Sequence, residues 1–88
     1  MRDLNALATF VAVVKANSFT LAADHCGISK ALVTRHIQDL EVSLGVKLLN
    51  RSTRKIGLTQ AGERFYDRCT RIVAEADQAV RDVEELSR

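Results

Sequence analysis

Between Ser18 and Gly62 the chain reads SFTLAADHCGISKALVTRHIQDLEVSLGVKLLNRSTRKIGLTQAG, and its pattern changes twice. A short helical stretch opens at Ser18, a natural N-cap, and runs to about His25, with Leu21 and Ala22 or Ala23 toward a core. Gly27 supplies a left-handed stop, and Ser29 caps a fresh helix in which Val33, Ile37, Leu40 and Leu44 recur at four, three and four. Only CGIS separates the two. A turn that short, with Gly in it and Ile28 to plug the corner, commits the chain to two helices crossing at a steep angle. Gly45 ends the second of them. From Val46 to Leu58 the helical period stops, and VKLLNR and KIGL read as two short strands around the polar tip Ser52-Thr53-Arg54.

The flanks are helical too. Leu4, Leu7, Val11 and Val14, with Phe10 between them, place an amphipathic helix over residues 4–16, capped by Asp3 and closed by Asn17. After Thr59, another N-cap, Phe65, Cys69, Ile72, Ala76, Ala79, Val83 and Leu86 repeat at four and three to the end of the chain. Tyr66, Val73 and Val80 widen that stripe. About 28 residues at ~1.5 Å each make a helix of roughly 40 Å, longer than a domain of this size can cover. Its near end is expected to pack on its own domain and its far end on a second copy, with the seven repeating residues as the dimerisation seam; a wholly intrachain helix is the alternative. The expected fold is mostly α: a winged helix-turn-helix, with a three-helix core and a two-stranded wing over residues 1–58, then a linker or dimerisation helix over residues 59–88.

Composition agrees. Pro and Trp are absent and there are only four aromatics in 88 residues, which favours helices over a sandwich or barrel. No stretch reaches the roughly 20 apolar residues of a membrane span, and Asp3 sits where a signal peptide carries no acid, so a cytoplasmic protein is expected. Cys26 and Cys69 form no C-x-x-C and have no His at zinc-finger spacing; two isolated, buried, reduced thiols, with no metal and no cofactor, are the reading. His25 and Cys26 are helical neighbours pointing about 100° apart, a poor base and nucleophile pair, and nothing else suggests an enzyme.

The net charge is only +2, but residues 30–62 carry six basic and two acidic groups whereas residues 63–88 carry five and seven. Between Glu41 and Glu63 lie Lys47, Arg51, Arg54 and Lys55 and no carboxylate, a footprint suited to a polyanion, though a merely solvated face has the same composition. With the core positions of the third helix removed, Lys30, Ala31, Thr34, Arg35 and Gln38 cluster on its outward face. Their chemistry suits base edges in the major groove: Arg35 for guanine, Gln38 for adenine, Thr34 for a base or phosphate, Ala31 for a thymine methyl. Ser29, and Ser18 with Thr20, stand at helix starts where backbone amides favour phosphate. In the wing, Arg51, Thr53, Arg54 and Lys55 suit phosphates or a narrow minor groove, with Arg54 foremost. Arg51 has a rival role, pairing with Asp39, Glu41 or another nearby carboxylate.

Three segments, FVAVVKANSFTLAA, GISKALVTRHIQDLEVSLGVKLLNR and STRKIGLTQAG, stand in the order and spacing seen at the N-terminus of LysR-type bacterial transcriptional regulators, which the chain resembles along nearly its whole length. The resemblance implies a DNA-binding domain that pairs through residues 59–88 with a second subunit, reads a dyad-symmetric duplex, and belongs to a longer regulator whose separate effector-binding domain takes the small molecule; tetramers are implied for that full-length protein. In the family the recognition helix usually opens S-Q-P-A-V-S-R. Here Arg35 carries over, Thr34 is conservative, and Lys30 and Ala31 depart, Lys exchanging a bidentate amide for a point charge. Leu49 stands where Phe is frequent, Thr53 where Gly is, and Cys26 where Leu is. A winged-helix module that binds protein instead of DNA is the rival from another class, and it has no need of the carboxylate-free stretch.

Overall fold

The computed structural model describes residues 3–51 and 55–88. Its elements are α1 (Leu4–Ala16), α2 (Phe19–Cys26), α3 (Lys30–Leu44), β1 (Leu49–Arg51), β2 (Ile56–Leu58) and α4 (Gln60–Leu86). Each helix starts where a short polar side chain satisfies an orphan amide: Asp3 accepts from Asn5 N–H, Ser18 from Leu21, Ser29 from Leu32 and Thr59 from Gly62. Asn17, Gly27 and Gly45 close α1, α2 and α3 in the left-handed region. At Gly27 (φ 70°) this bend lets Ile28 N–H return to the Ala23 carbonyl at 3.1 Å, folding Ile28 against the core in a three-residue turn.

Phe10 and Val13 of α1, Ala22 of α2, Val33 and Ile37 of α3, and Cys69 of α4 are wholly buried, with Leu48 at 1% exposure. Removing a side chain the size of Phe10 or Ile37 from water contributes about 1.5–3 kcal/mol, so these few residues carry much of the stability of so small a domain. Phe65 and Tyr66 of α4 clasp Phe10, the first tilted with centroids 5.5 Å apart, the second edge-on at 6.2 Å. Leu21 departs from expectation. The inward stripe of α2 is Phe19, Ala22, Ala23 and Cys26, at helical spacing, which leaves Leu21 56% exposed.

The strands pair antiparallel with Leu49 opposite Leu58 and Arg51 opposite Ile56, and both are shorter than expected. Val46–Leu48 do not extend β1 because their backbone groups are satisfied elsewhere. Val46 N–H donates to the Glu41 carbonyl, Leu48 N–H to the Glu41 carboxylate, the Lys47 carbonyl accepts from Thr59 Oγ1, and the Leu48 carbonyl accepts from Thr59 N–H. Lys55 stands directly before β2.

The first turn of α4 lies directly on this crossing. A Cβ at Gly62 would overlap the Leu48 carbonyl, so only glycine allows the helix to approach so closely. Packing also divides the apolar stripe of α4. Gly62, Tyr66, Cys69 and Val73 face the domain's own core, as does much of Phe65. Two of the seven residues expected in a seam with a second chain, Phe65 and Cys69, therefore serve the intrachain core, and the helix becomes free of its own domain only after Val73. The long axis of the molecule, 47 Å against 24 and 18 Å, is set by that helix.

Candidate nucleic-acid interface

The outward side of α3 presents Lys30, Ala31, Arg35 and Gln38 exposed and Thr34 half-buried, opposite the core residues Val33, Ile37 and Leu40. These are five side chains on less than three turns of one helix. Arg35 Nε lies 4.0 Å from Asp39 Oδ2, with both side chains at least 70% exposed; such a pair is worth well under ~1 kcal/mol and does not tie the guanidinium down. Between Gln38 and the wing runs a polar groove of about 410 Å³ lined also by Glu41, Lys47, Leu49, Asn50 and Arg51. Helix face, groove and strand thus form one continuous surface.

That surface is rigid because α3 is fastened at both its middle and its end. The Thr9 hydroxyl donates to the Asn5 carbonyl at 2.8 Å, which leaves its oxygen to accept from His36 Nδ1–H, also at 2.8 Å. This bond crosses from α1 to α3. One turn further, Glu41 is 9% exposed, and its Oε2 accepts from the peptides of Leu48 at 2.7 Å and Leu49 at 3.2 Å, while Lys47 Nζ stands 3.7 Å from Oε1. Glu41 therefore splices the end of α3 to the start of β1.

Of the residues expected on the DNA backbone, Ser18 and Ser29 spend a lone pair on their caps, which leaves each hydroxyl hydrogen to donate outward. Thr20 is exposed at the start of α2, and Lys55 is exposed beside β2. Arg51 pairs with neither expected carboxylate, since Asp39 is beside Arg35 and Glu41 beside Lys47; its guanidinium carbon sits 4.4 Å above the ring centroid of Phe19. The wing-tip residues Thr53 and Arg54 lie outside the described residues. Sequence reasoning missed Thr9, His36, Glu41 and Phe19. Only Glu41 left a signal, a carboxylate next to Leu40 and four residues after Ile37, on the inward side of the helix.

A helix-turn-helix with an exposed polar second helix and an adjoining two-stranded wing defines a winged-helix DNA-binding domain. Residues 4–63 match the family described as bacterial regulatory helix-turn-helix protein, lysR family, and the chain belongs to it: this is a DNA-binding domain of a transcriptional regulator, not an enzyme. A transcriptional repressor of Pseudomonas aeruginosa is 49% identical over 78 residues, 89% of this chain and 25% of the relative. Two solved complexes have the same fold: the BenM DNA-binding domain with catB site 1 DNA (TM-score 0.86, 37% identity, 98% of this chain and 96% of that one) and the CbnR DNA-binding domain with DNA (0.81, 36%, 99% and 100%). The chain spans about a quarter of the length of the curated relatives it matches. No helix among the described residues is long and apolar enough to cross a membrane.

Proposed function

We propose that this domain binds a dyad-symmetric duplex as a homodimer and gives a cytoplasmic bacterial regulator its sequence specificity. The carrying observation is the outward face of α3: Lys30, Ala31, Thr34, Arg35 and Gln38 enter the major groove, Arg35 and Gln38 reading base edges and Lys30 meeting phosphate or guanine. Ser18, Thr20, Ser29, Arg51 and Lys55 hold the backbone on either side, and Thr53 and Arg54 extend the grip from the wing tip toward the minor groove.

The second copy docks on α4 beyond its own domain. Ile72 (43% exposed), Val80 (58%), Val83 (66%) and Leu86 (86%) form an apolar stripe on which Ala76 and Ala79 permit close approach. Small-molecule control and tetramer formation belong to the longer protein.

Replacing Arg35 by Ala tests the reading. On a duplex selected by this domain from random sequence, the loss is expected to be about 1–3 kcal/mol, with discrimination between selected and scrambled duplexes reduced in step. Equal loss on both duplexes excludes Arg35 as a base reader.

A further inference from the structure

The wing is fastened to the helical body at a second place, away from its root. The peptide N–H of Ile56, which opens β2, donates to Asn17 Oδ1 at 3.3 Å, and Arg51, which ends β1, lies over Phe19. One strand therefore reaches Asn17 and the other Phe19, two residues apart at the corner between α1 and α2. That corner is firm: Asn17 is held at φ 51° by its cap bonds to the Val13 and Val14 carbonyls, Ser18 caps α2, and Phe19 is half-buried against the core.

We propose that Phe19 is a positioning residue for Arg51, holding its guanidinium by the face so that its edge is ready for a DNA phosphate. The inference rests on the reading of Arg51 as a backbone holder. A guanidinium is flat, and all five N–H donors lie in its plane, so an aromatic ring against one face takes none of them. An arginine at an exposed strand end otherwise samples many rotamers, and binding must freeze them. The ring does that beforehand and adds cation–π attraction without neutralising the charge, as pairing with Asp39 or Glu41 would. Phe19 thus sits beneath the contact without making one itself.

The test uses the whole 88-residue chain and a mixed-sequence duplex titrated at several salt concentrations, which reads backbone grip without the operator. Arg51→Ala is expected to weaken binding and lower the salt slope by about one. Phe19→Leu, which keeps apolar bulk, is expected to weaken it about 3- to 10-fold, and Phe19→Tyr to leave it as in the native chain. In the double variant Phe19→Leu/Arg51→Ala binding is expected to match Arg51→Ala alone. If Phe19→Leu costs as much without Arg51 as with it, or costs nothing in the native background, the positioning role is refuted while the grip of Arg51 stands. If Arg51→Ala itself changes nothing, the holder reading falls and this inference with it. The native chain offers a check independent of any variant's folding: the Arg51 side-chain Nε–H resonance is expected upfield, shifted by the Phe19 ring, and an unshifted resonance overturns the proposal.

Discussion

Removing the Glu41 carboxylate isolates what holds the wing to α3. In Glu41→Ala the peptides of Leu48 and Leu49, 1% and 5% exposed, lose their acceptor together. An orphaned buried donor costs about 1–3 kcal/mol. The 3.2 Å bond is the weaker of the two, and a site where Glu41 itself was 9% exposed admits water toward one of them, so the joint loss should fall near 2–4 kcal/mol. For a domain of this size that lowers the thermal midpoint by roughly 10–25 °C. Glu41→Gln is the informative partner, because both peptides donate to a single oxygen, Oε2, and a carboxamide oxygen can take that place. It gives up charge assistance and the Lys47 pair, whose lysine is 80% exposed and contributes under ~1 kcal/mol. The Gln variant should therefore lose only about 0.5–1.5 kcal/mol. Melts followed by circular dichroism, at one fixed protein concentration because association raises the midpoint, measure both. Equal losses for Ala and Gln, or a Lys47→Ala loss as large as that of Glu41→Ala, would refute the assignment of the stability to the peptide acceptor.

Gly62→Ala should destabilise by about 2 kcal/mol in the same melts, since the new Cβ must push α4 off the Leu48 carbonyl and Leu58 Cδ2 is only 3.1 Å away; the ~1 kcal/mol that Ala normally gains over Gly inside a helix would prevail if the contact were slack. Glu at both Ile72 and Ala76 should yield monomers in sedimentation, and an intact dimer would place the interface elsewhere. Burial pushes the Cys69 thiol up from 9.0 to about 11. The unfolded chain therefore gives up this proton before the folded one, so the contribution is complete below pH 9 and is lost as the pH rises toward 11. Denaturant titrations should show a shallower decline over that range in Cys69→Ala, and identical slopes would contradict it.

Local chemistry made most of the architecture legible. Asp3, Ser18, Ser29 and Thr59 announce helix starts by a side-chain oxygen, and Asn17, Gly27 and Gly45 announce ends by tolerance of a left-handed backbone; each signal is read within four residues. The outward face of α3 followed from the same periodicity, as the complement of Val33, Ile37 and Leu40. What escaped were bonds between distant side chains. Nothing near Thr9 foretells His36, and nothing near Phe19 foretells Arg51, because the first pair exists only once α1 and α3 have crossed and the second only once β1 lies against α2. The stripe on α4 misled in a different way. A heptad pattern shows that a face is covered without showing by what, and here Phe65 and Cys69 are covered by the domain itself while Ile72 through Leu86 are not.

The tight seat of Gly62 on Leu48 has a mechanical consequence. With Glu41 joining Leu48 to α3, a change in the direction of α4 is carried through Leu48 toward α3. Gly62 stands some ten to fourteen residues before the exposed stretch at Ile72–Ala76, a lever arm of roughly 18 Å at ~1.5 Å per residue. Tilting such an arm by about 10° moves its end by about 3 Å, close to the ~3.4 Å rise of one base step. If the domain pairs through α4 and reads half-sites through α3, as proposed above, a modest change in how two α4 helices cross is enough to move the two α3 helices out of step with their half-sites by a full base pair.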